Sequence, residues 1–130
     1  MEKKKVFQTD KAAVTGGPYS QAIIHNGIIY VSGQGAVDPQ TNEIKLGSVE
    51  EEAGLALENL RIILQEAGSS MDKVLTITVY LLDIEEYTRF NEIYKNISMK
   101  TARREPVSRQ AVSPLTQGSK LQRLLVFRRQ

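Results

Sequence analysis

The feature that most constrains this chain is an Asn-Gly pair set between two short runs rich in β-branched residues. The run Ala-Ile-Ile-His at residues 22–25 precedes Asn26 and Gly27, and Ile-Ile-Tyr-Val at residues 28–31 follows them. A two-residue hairpin turn needs a positive φ at both turn positions, which Asn and Gly adopt most readily. The pair therefore predicts a β-hairpin that fixes the chain just before it relative to the chain just after it.

Residues suited to binding a small molecule stand at the two outer ends of this hairpin. Tyr19 precedes the first strand, and Ser32 and Gly33 follow the second. At adjacent strand ends a phenol, a hydroxyl and an exposed glycine backbone can converge on one ligand. Tyr19 could instead be a packing plug, and Ser32 could be a strand-end hydroxyl that bonds its own backbone. Both interpretations stay open at this point.

Two stretches of the chain carry helix signals. Ser48 and Glu51 form a capping box ahead of the first stretch, and Gly68 ends it as a left-handed cap. Asp83 repeats the N-cap pattern ahead of the second. The predicted buried positions are Ala53, Ala56, Leu57, Leu60, Ile63, Leu64 and Ala67 in the first helix, and Tyr87, Phe90, Ile93, Tyr94 and Ile97 in the second.

Strand patterns occur before, between and after these helices. They cover residues 4–9, residues 74–82 and the candidate final strands 107–112 and 121–127. Residues 74–82 alternate, so one face should pack on the helices and the other should meet a partner subunit. The first face has Leu75, Ile77, Val79 and Leu81, and the second has Thr76, Thr78 and Tyr80. The order predicts one α+β domain over residues 1–130, with two helices on one face of a mixed sheet.

Composition agrees with a single domain of this kind. The chain has 130 residues, 41% of them hydrophobic, which is enough for one core. It has no cysteine and one histidine, so we expect a mechanism without metal or cofactor. No apolar run reaches bilayer-spanning length, and we expect a cytoplasmic protein without a membrane partner. The net charge is +2 and the basic residues gather near both ends without interleaved aromatics, so we expect no nucleic-acid partner.

The hairpin and its flanks also carry a family resemblance. Gly-Pro-Tyr-Ser-Gln-Ala at residues 17–22, followed by Val-Ser-Gly-Gln at residues 31–34, is similar to the amino-terminal signature of the RidA (YjgF) family. Further motifs in the same order extend the resemblance to Tyr94. It implies a chorismate-mutase-like subunit that assembles as a homotrimer, with sites in the clefts between subunits.

The activity that the resemblance implies is that of a 2-iminobutanoate/2-iminopropanoate deaminase. Enamines and imines of the 2-aminoacrylate type, released by pyridoxal-phosphate enzymes, would be hydrolysed to 2-keto acids and ammonia. Tyr19 and Ser32 would be catalytic, with Tyr19 on the wall of the cleft. Gly33 would contact the substrate and Asn91 would lie at the back of the cleft, although Asn91 could equally be a helix-surface amide. His25 is expected to be exposed and without a catalytic role.

The resemblance fails after Tyr94. The family's carboxylate-binding arginine falls on Glu105 when counted forward and on Val107 when counted back, and its late carboxylate falls near Gln122. Restoring one base in the coding sequence just upstream, near Asn96, would give family-like residues. We therefore hypothesise that the last third is a shifted reading frame, which resequencing of the gene would test.

If these residues are native, an arginine near the same strand should anchor the substrate carboxylate, because only arginine offers a planar fork of donors. The candidates are Arg103, Arg104 and Arg109. Arg109 is favoured because strand alternation puts it on the same face as Val107. Arg109 could equally be a solvated charge at a sheet edge.

Two other functions remain open from the sequence. A non-catalytic trimer that binds small metabolites as a regulator would share the fold and would tolerate loss of the arginine. An RNA-directed translation inhibitor would draw on the basic ends, but no nuclease constellation in the sequence supports it.

Overall fold

The computed structural model describes residues 3–14, 18–81, 83–98, 107–112 and 121–129, the last two ranges as strand backbone. The elements follow the predicted order, and in these ranges the strands form one sheet. They are β1 (Lys5–Phe7), β2 (Ala22–His25), β3 (Ile28–Val31), α1 (Val49–Glu66), β4 (Val74–Leu81), α2 (Tyr87–Ser98), β5 (Val107–Val112) and β6 (Leu121–Arg129). The sheet order is β1-β2-β3-β6-β4-β5, with β4 and β5 parallel and the other neighbours antiparallel. The predicted α+β class is confirmed.

The predicted hairpin is present. Asn26 and Gly27 have φ angles of +50° and +74°, which is the left-handed conformation that a two-residue hairpin turn requires. On either side of the turn β2 pairs with β3, and Ala22 lies opposite Val31. The chain before Ala22 and the chain after Val31 therefore leave the sheet side by side.

The first strand is shorter than the residues 4–9 that the sequence predicts. β1 ends at Phe7, and two residues later the Thr9 amide donates to the side-chain Oε1 of Gln21 at 2.6 Å. This side-chain acceptor replaces the next bond of the β-ladder, so the chain turns away from the sheet. The bond from the Thr9 amide to Gln21 thus lies where β1 has ended and the loop that leads to Tyr19 begins.

Helix α1 supplies much of the core. Ser48 caps it as predicted, because its hydroxyl accepts from the Glu51 amide at 3.2 Å and the Glu51 carboxylate accepts from the Ser48 amide at 3.4 Å. Gly68, with a φ of +84°, follows the end of the helix. Each fully buried leucine on such a helix stabilises the fold by about 2 kcal/mol. The predicted stripe is buried at Ala53, Ala56, Leu57, Leu60, Ile63 and Leu64, and Ala67 is partly buried.

Strand β4 follows the predicted alternation with one correction. Ile77, Val79 and Leu81 are buried against the helices, but Leu75 is 47% exposed, contrary to the prediction. The pairing of β4 with β6 shifts register between Val74 and Thr76. Such a bulge changes which side chain points inward. Val74 therefore takes the buried place that Leu75 was expected to fill.

Helix α2 also differs from its prediction in the first turn. The Asp83 side chain accepts from the Glu85 amide at 2.9 Å as an N-cap should, but a 3₁₀ turn precedes the α-helix. Tyr87, expected to be buried, is exposed, and Glu86 lies in the buried position four residues before Phe90. The predicted stripe was therefore right from Phe90 onward and wrong at Tyr87.

Within the described residues, no helix is long and apolar enough to cross a membrane.

An ion pair joins α2 to the first turn of α1. An Arg89 nitrogen, Nη2, lies 2.6 Å from Oε2 of Glu50, and this guanidinium holds the pKa of Glu50 at about 2, below its usual 4.5. We predict that Arg89→Gln returns the Glu50 pKa toward 4.5, which an NMR titration of the side-chain carboxyl carbon would measure. An unchanged pKa would contradict this pairing.

The same pair predicts a pH dependence of stability. The folded pKa of Glu50 is lowered, so its stabilising contribution is complete above about pH 4.5 and is lost as the pH falls toward 2. The difference in thermal midpoint between the wild type and Arg89→Gln should therefore shrink across that interval. A difference that stays constant down to pH 2 would mean that the ionised Glu50 does not produce it.

The final strand is longer than predicted and lies inside the sheet. β6 runs two residues beyond Phe127 and pairs with both β3 and β4. Leu124 and Val126 stand at the register positions beside the buried Val79 and Ile77. Apolar residues thus occupy the register positions that adjoin the core. The shifted-frame hypothesis stays a hypothesis, because a strand of this kind fits either origin of the tail.

The face of the sheet away from the helices carries an open apolar row. Val6 pairs with Ile23, and Ile23 pairs with Tyr30, so these three side chains share one face. The row continues through the backbone of β6 to Thr76 of β4. Val6 and Tyr30 are exposed in the single chain. This row, Val6–Ile23–Tyr30–Thr76, is called the outer row below.

Candidate functional site

Ser32 lies where the hairpin ends. Its amide donates to the Gln21 carbonyl at 3.0 Å, and its hydroxyl donates to the same oxygen at 3.1 Å. The Gln34 side chain donates from Nε2 to the Ser32 carbonyl at 3.2 Å. Because a carbonyl oxygen can only accept, the single hydroxyl proton of Ser32 is directed at Gln21. The remaining hydrogen-bonding capacity of the half-buried Oγ is therefore that of an acceptor.

This geometry refines the two interpretations of Ser32 that the sequence left open. The hydroxyl does bond a backbone group, but that group belongs to Gln21 on the neighbouring strand and not to Ser32 itself. The bond fixes the rotamer of Ser32 without using its lone pairs. An oriented acceptor is suited to hold a water molecule or the N–H of an imine.

Tyr19 lies beside this point and points away from the core. It precedes Gln21 by two residues, so its Cα lies within about 7 Å of the Gln21 Cα. The Tyr19 side chain is 70% exposed in the single chain. A packing plug would be buried, so the plug interpretation does not hold within one chain. The pairing of Ala22 with Val31 puts Tyr19 and Ser32 on the chain segments that leave adjacent strands, and their joint place in a site stays a prediction.

Gly33 is exposed and lies between Ser32 and the buried Gln34. The Gln34 side chain turns back to bond Ser32, as described above. Ser32 and Gln34, on either side of Gly33, are thus held by hydrogen bonds, while Gly33 itself is exposed. Its backbone is accessible to a ligand, as the predicted substrate contact requires.

The remaining predicted site residues lie farther along the chain. Asn91 is half-buried in α2, next to Phe90, whose ring stacks on that of Tyr94 with centroids 6.1 Å apart. The backbone of Arg109 pairs with Thr78, but its side chain lies outside the described residues. Arg103 and Arg104 also lie outside them. A place for Asn91 and Arg109 in the site stays a prediction.

His25 differs from its prediction of full exposure. It is half-buried at the end of β2, and its Nδ1 atom is buried with no described hydrogen-bond partner. His25 pairs with Ile28 beside the turn. Among the described residues, no three His, Cys, Asp or Glu side chains are grouped so as to hold a metal ion.

Besides Gln34, the sequence interpretation missed two buried amides that hold the loops near the site. Gln21 is 1% exposed and Asn59 is 0% exposed. Asn59 stands between Leu57 and Leu60 on the buried side of α1, and Gln21 precedes the first apolar run of the hairpin. An uncharged amide amid apolar positions was the available signal, because a buried amide needs specific partners. Here those partners are backbone groups of the loop before Tyr19 and of the segment after Ser32.

The family described as Endoribonuclease L-PSP, which comprises the RidA and YjgF proteins, matches residues 9–121. The chain belongs to the RidA family. A RutC family protein of Pyrococcus abyssi is 44% identical over 91 residues, covering 70% of this chain and 72% of that protein. The mouse 2-iminobutanoate/2-iminopropanoate deaminase is 45% identical over 92 residues, covering 71% of this chain and 68% of that protein.

Solved structures of RidA proteins share the fold over nearly the whole chain. A Rid-family protein of unknown function from Yersinia pestis has a TM-score of 0.91 at 29% identity, covering 98% of this chain and 100% of that one. The E. coli protein TdcF, solved with bound serine, has a TM-score of 0.89 at 29% identity, covering 97% and 98% of the two chains. The fold likeness thus extends over more of this chain than the sequence likeness to the relatives above.

Proposed function

We propose that this chain hydrolyses 2-imino acids and their enamine tautomers to 2-keto acids and ammonia. The observation that carries the proposal is the 45% identity to a protein named 2-iminobutanoate/2-iminopropanoate deaminase. The arrangement of Ser32 and Tyr19 at the end of the hairpin supports it, because it offers an oriented acceptor beside an exposed phenol.

Imine hydrolysis requires few catalytic groups from the protein. Water adds to the carbon of the C=N bond, a proton reaches the nitrogen, and the C–N bond of the resulting carbinolamine then breaks to give the 2-keto acid and ammonia. An enamine such as 2-aminoacrylate first takes a proton at its terminal carbon and becomes the imine. Positioning of water and transfer of protons are the tasks left to the protein.

Ser32 positions the reacting groups, and the other residues of the proposed site hold the substrate. The Ser32 Oγ, whose own proton is held by Gln21, accepts from the attacking water or from the imine N–H. The exposed Gly33 backbone bounds the substrate, and the Tyr19 phenol covers it from the side. Asn91 lies at the back of the cleft and Arg109 holds the substrate carboxylate.

We further propose that the cleft is completed by a second copy of the chain in a homotrimer. The outer row puts apolar side chains of Val6, Ile23 and Tyr30 on one sheet face, where Val6 and Tyr30 are exposed in the single chain. A sheet normally buries an apolar face against another layer. Assembly would cover this row and would bring a partner surface next to the exposed Tyr19.

Assembly predicts a particular solution mass. Sedimentation equilibrium should give three times the chain mass of 14.5 kDa. Tyr30→Asp places a charge on the outer row and should shift the mass toward one chain, since a charge without a partner is disfavoured at a buried interface. Ile84→Asp changes an exposed apolar residue in the 3₁₀ turn before α2, outside the outer row, and should leave the mass unchanged. A wild-type protein that sediments as one chain at micromolar concentration would contradict the trimer.

Ammonia release tests the catalytic proposal. A pyridoxal-phosphate enzyme generates 2-aminoacrylate in the cuvette, and ammonia is followed with and without this protein. Ammonia release that rises in proportion to added protein supports the proposal, and a rate equal to the spontaneous one argues against it. Chelator is added in parallel, and an unchanged rate is expected because no metal takes part in the steps above.

A regulatory function is the second candidate, and one observation favours it. The structure of E. coli TdcF was solved with bound serine, and a site of this kind could bind an amino-acid-like ligand without turnover. Such a protein would bind 2-ketobutyrate yet release no ammonia. An RNA-directed function has less support, although the family's description names an endoribonuclease; salt-dependent RNA binding would test it.

A further inference from the structure

Two buried amides hold the loop that leads to Tyr19. The Nε2 atom of Gln21 donates to the Ala13 carbonyl at 2.8 Å, and the Ala13 amide donates to Oδ1 of Asn59 at 2.8 Å. The amide and the carbonyl of Ala13 are thus both bonded by buried side chains, one from α1 and one from the residue that precedes β2. Such bonds are costly to remove, because the partner left behind stays buried and unsatisfied.

Asn59 also holds the segment that follows Ser32. Its Nδ2 atom donates to the Val37 carbonyl at 2.6 Å and to the Leu55 carbonyl of its own helix at 3.2 Å. The assignment of oxygen and nitrogen in this amide follows from its partners, since an N–H donates and a carbonyl accepts. One side chain on a rigid helix therefore connects the loop before Tyr19 with the segment after Gly33.

Gln21 connects the same two segments from the other side. Its side chain accepts from Thr9 and donates to Ala13, while its backbone carbonyl accepts from the amide and hydroxyl of Ser32. A displacement of the Ala13 loop would therefore pass through Gln21 to Ser32. The two amides form one connected frame around the hairpin end.

Other contacts of the loop that contains Ala13 contribute less to holding it in place. Lys11 forms an ion pair with Glu66 at 2.8 Å, and the Val14 amide donates to Oδ1 of Asn42 at 2.8 Å. Both contacts are solvent-exposed, and exposed pairs contribute little because water and salt screen them. The buried amide of Asn59 is therefore the contact whose loss should move the loop most.

We propose that Asn59 is a positioning residue for imine hydrolysis, which sets the segments that carry Tyr19 and Ser32–Gly33 at their working separation. This inference rests on the proposed function. Asn59 itself lies in the core at 0% exposure and does not touch substrate. A shift of about 1 Å in catalytic groups can lower a rate by about 100-fold, so loss of this frame should act on kcat more than on KM.

The test compares three variants of the full chain by kcat and KM in the ammonia assay. Asn59→Ala removes the side-chain bonds to Ala13, Val37 and Leu55 and should lower kcat by about 10-fold or more. Ile63→Ala opens a cavity one helical turn away in the same core and should leave kcat per folded site unchanged. Equal kcat losses in the two variants would overturn the inference, since destabilisation alone would then explain both.

Asn59→Asp gives a signature that a purely structural effect would not produce. A protonated carboxyl offers a C=O for the Ala13 amide and an O–H for the Val37 carbonyl, so it keeps the two bonds between segments and loses only the bond to Leu55 within the helix. A carboxylate keeps only the first bond. The ratio of variant to wild-type kcat should therefore rise as the pH is lowered from about 8 to about 5, because burial favours the protonated form. A ratio that does not change with pH would contradict the proposed bonds.

Hydrogen exchange separates this inference from the proposed function. In Asn59→Ala, amides of residues 9–14 and 32–38 should exchange faster than in the wild type, while amides of α2 should not. Ile63→Ala should lack this local pattern. A wild type without deaminase activity would remove the proposed function, and the exchange pattern would still decide whether Asn59 holds the two segments. Exchange that is unchanged, or faster everywhere alike, would overturn the inference.

Discussion

Ser32→Ala is expected to lower kcat/KM for imine hydrolysis by about 100-fold while leaving the domain folded. The substitution removes the oriented acceptor but keeps the backbone bond from the Ser32 amide to the Gln21 carbonyl. Loss of the hydroxyl bond to the same carbonyl should cost about 1 kcal/mol of unfolding free energy. Steady-state kinetics and urea unfolding of the same preparation would measure both effects.

Ser69→Ala is the matched control for this prediction. The Ser69 hydroxyl is buried without a described hydrogen-bond partner, and it follows the end of α1, where the Ser69 amide donates to the Leu64 carbonyl. Its removal should change neither kcat nor KM. If Ser32→Ala lost folding in proportion to activity, Ser32 would be a structural residue and its catalytic role would be wrong.

Arg109→Lys is expected to weaken binding of 2-ketobutyrate by about 10-fold or more. A lysine keeps the charge but loses the two parallel donors with which arginine holds a carboxylate, and charged hydrogen bonds of this kind contribute about 1.5–3 kcal/mol. The backbone register supports the choice of Arg109, since Val107 and Arg109 pair with Thr76 and Thr78 on alternate positions of β4. Affinities from calorimetry would measure the effect.

Arg103→Lys is the control for the carboxylate anchor, because Arg103 precedes β5 and has no predicted place on its face. This variant should bind 2-ketobutyrate as the wild type does. Equal and negligible effects of both changes would leave the chain without an arginine anchor. The regulatory or catalytically impaired alternatives would then gain weight over the deaminase.

Local signals in the sequence were sufficient to predict much of the fold. The hairpin turn at Asn26 and Gly27 and the helix cap at Ser48 are set by a few adjacent residues, and both are confirmed. The wrong predictions at Leu75 and Tyr87 come from a bulge and a 3₁₀ turn. Each shifts the pattern of buried positions by one residue. Neither is indicated by a short sequence motif comparable to the Asn-Gly pair.

The site was predictable to a lesser degree, for a similar reason. The hairpin made the approach of Tyr19 and Ser32 predictable, because both flank one turn. The roles of Gln21 and Asn59 depend on contacts with Ala13 that span 8 and 46 residues of sequence. Periodicity shows that a position is buried, but it does not show which distant peptide group a buried amide will meet. The direction of the Ser32 proton toward Gln21 has the same long-range origin.

Imine hydrolysis by this protein is measured by the disappearance of 2-iminobutanoate when the protein is the added hydrolase. The imine is generated in place, and 2-ketobutyrate and ammonia are both quantified against time. The account predicts equal amounts of the two products, formed faster than in buffer, and a rate about 100-fold lower with Ser32→Ala. Wild-type protein that binds 2-ketobutyrate as a trimer but leaves the rate at its spontaneous value would contradict it.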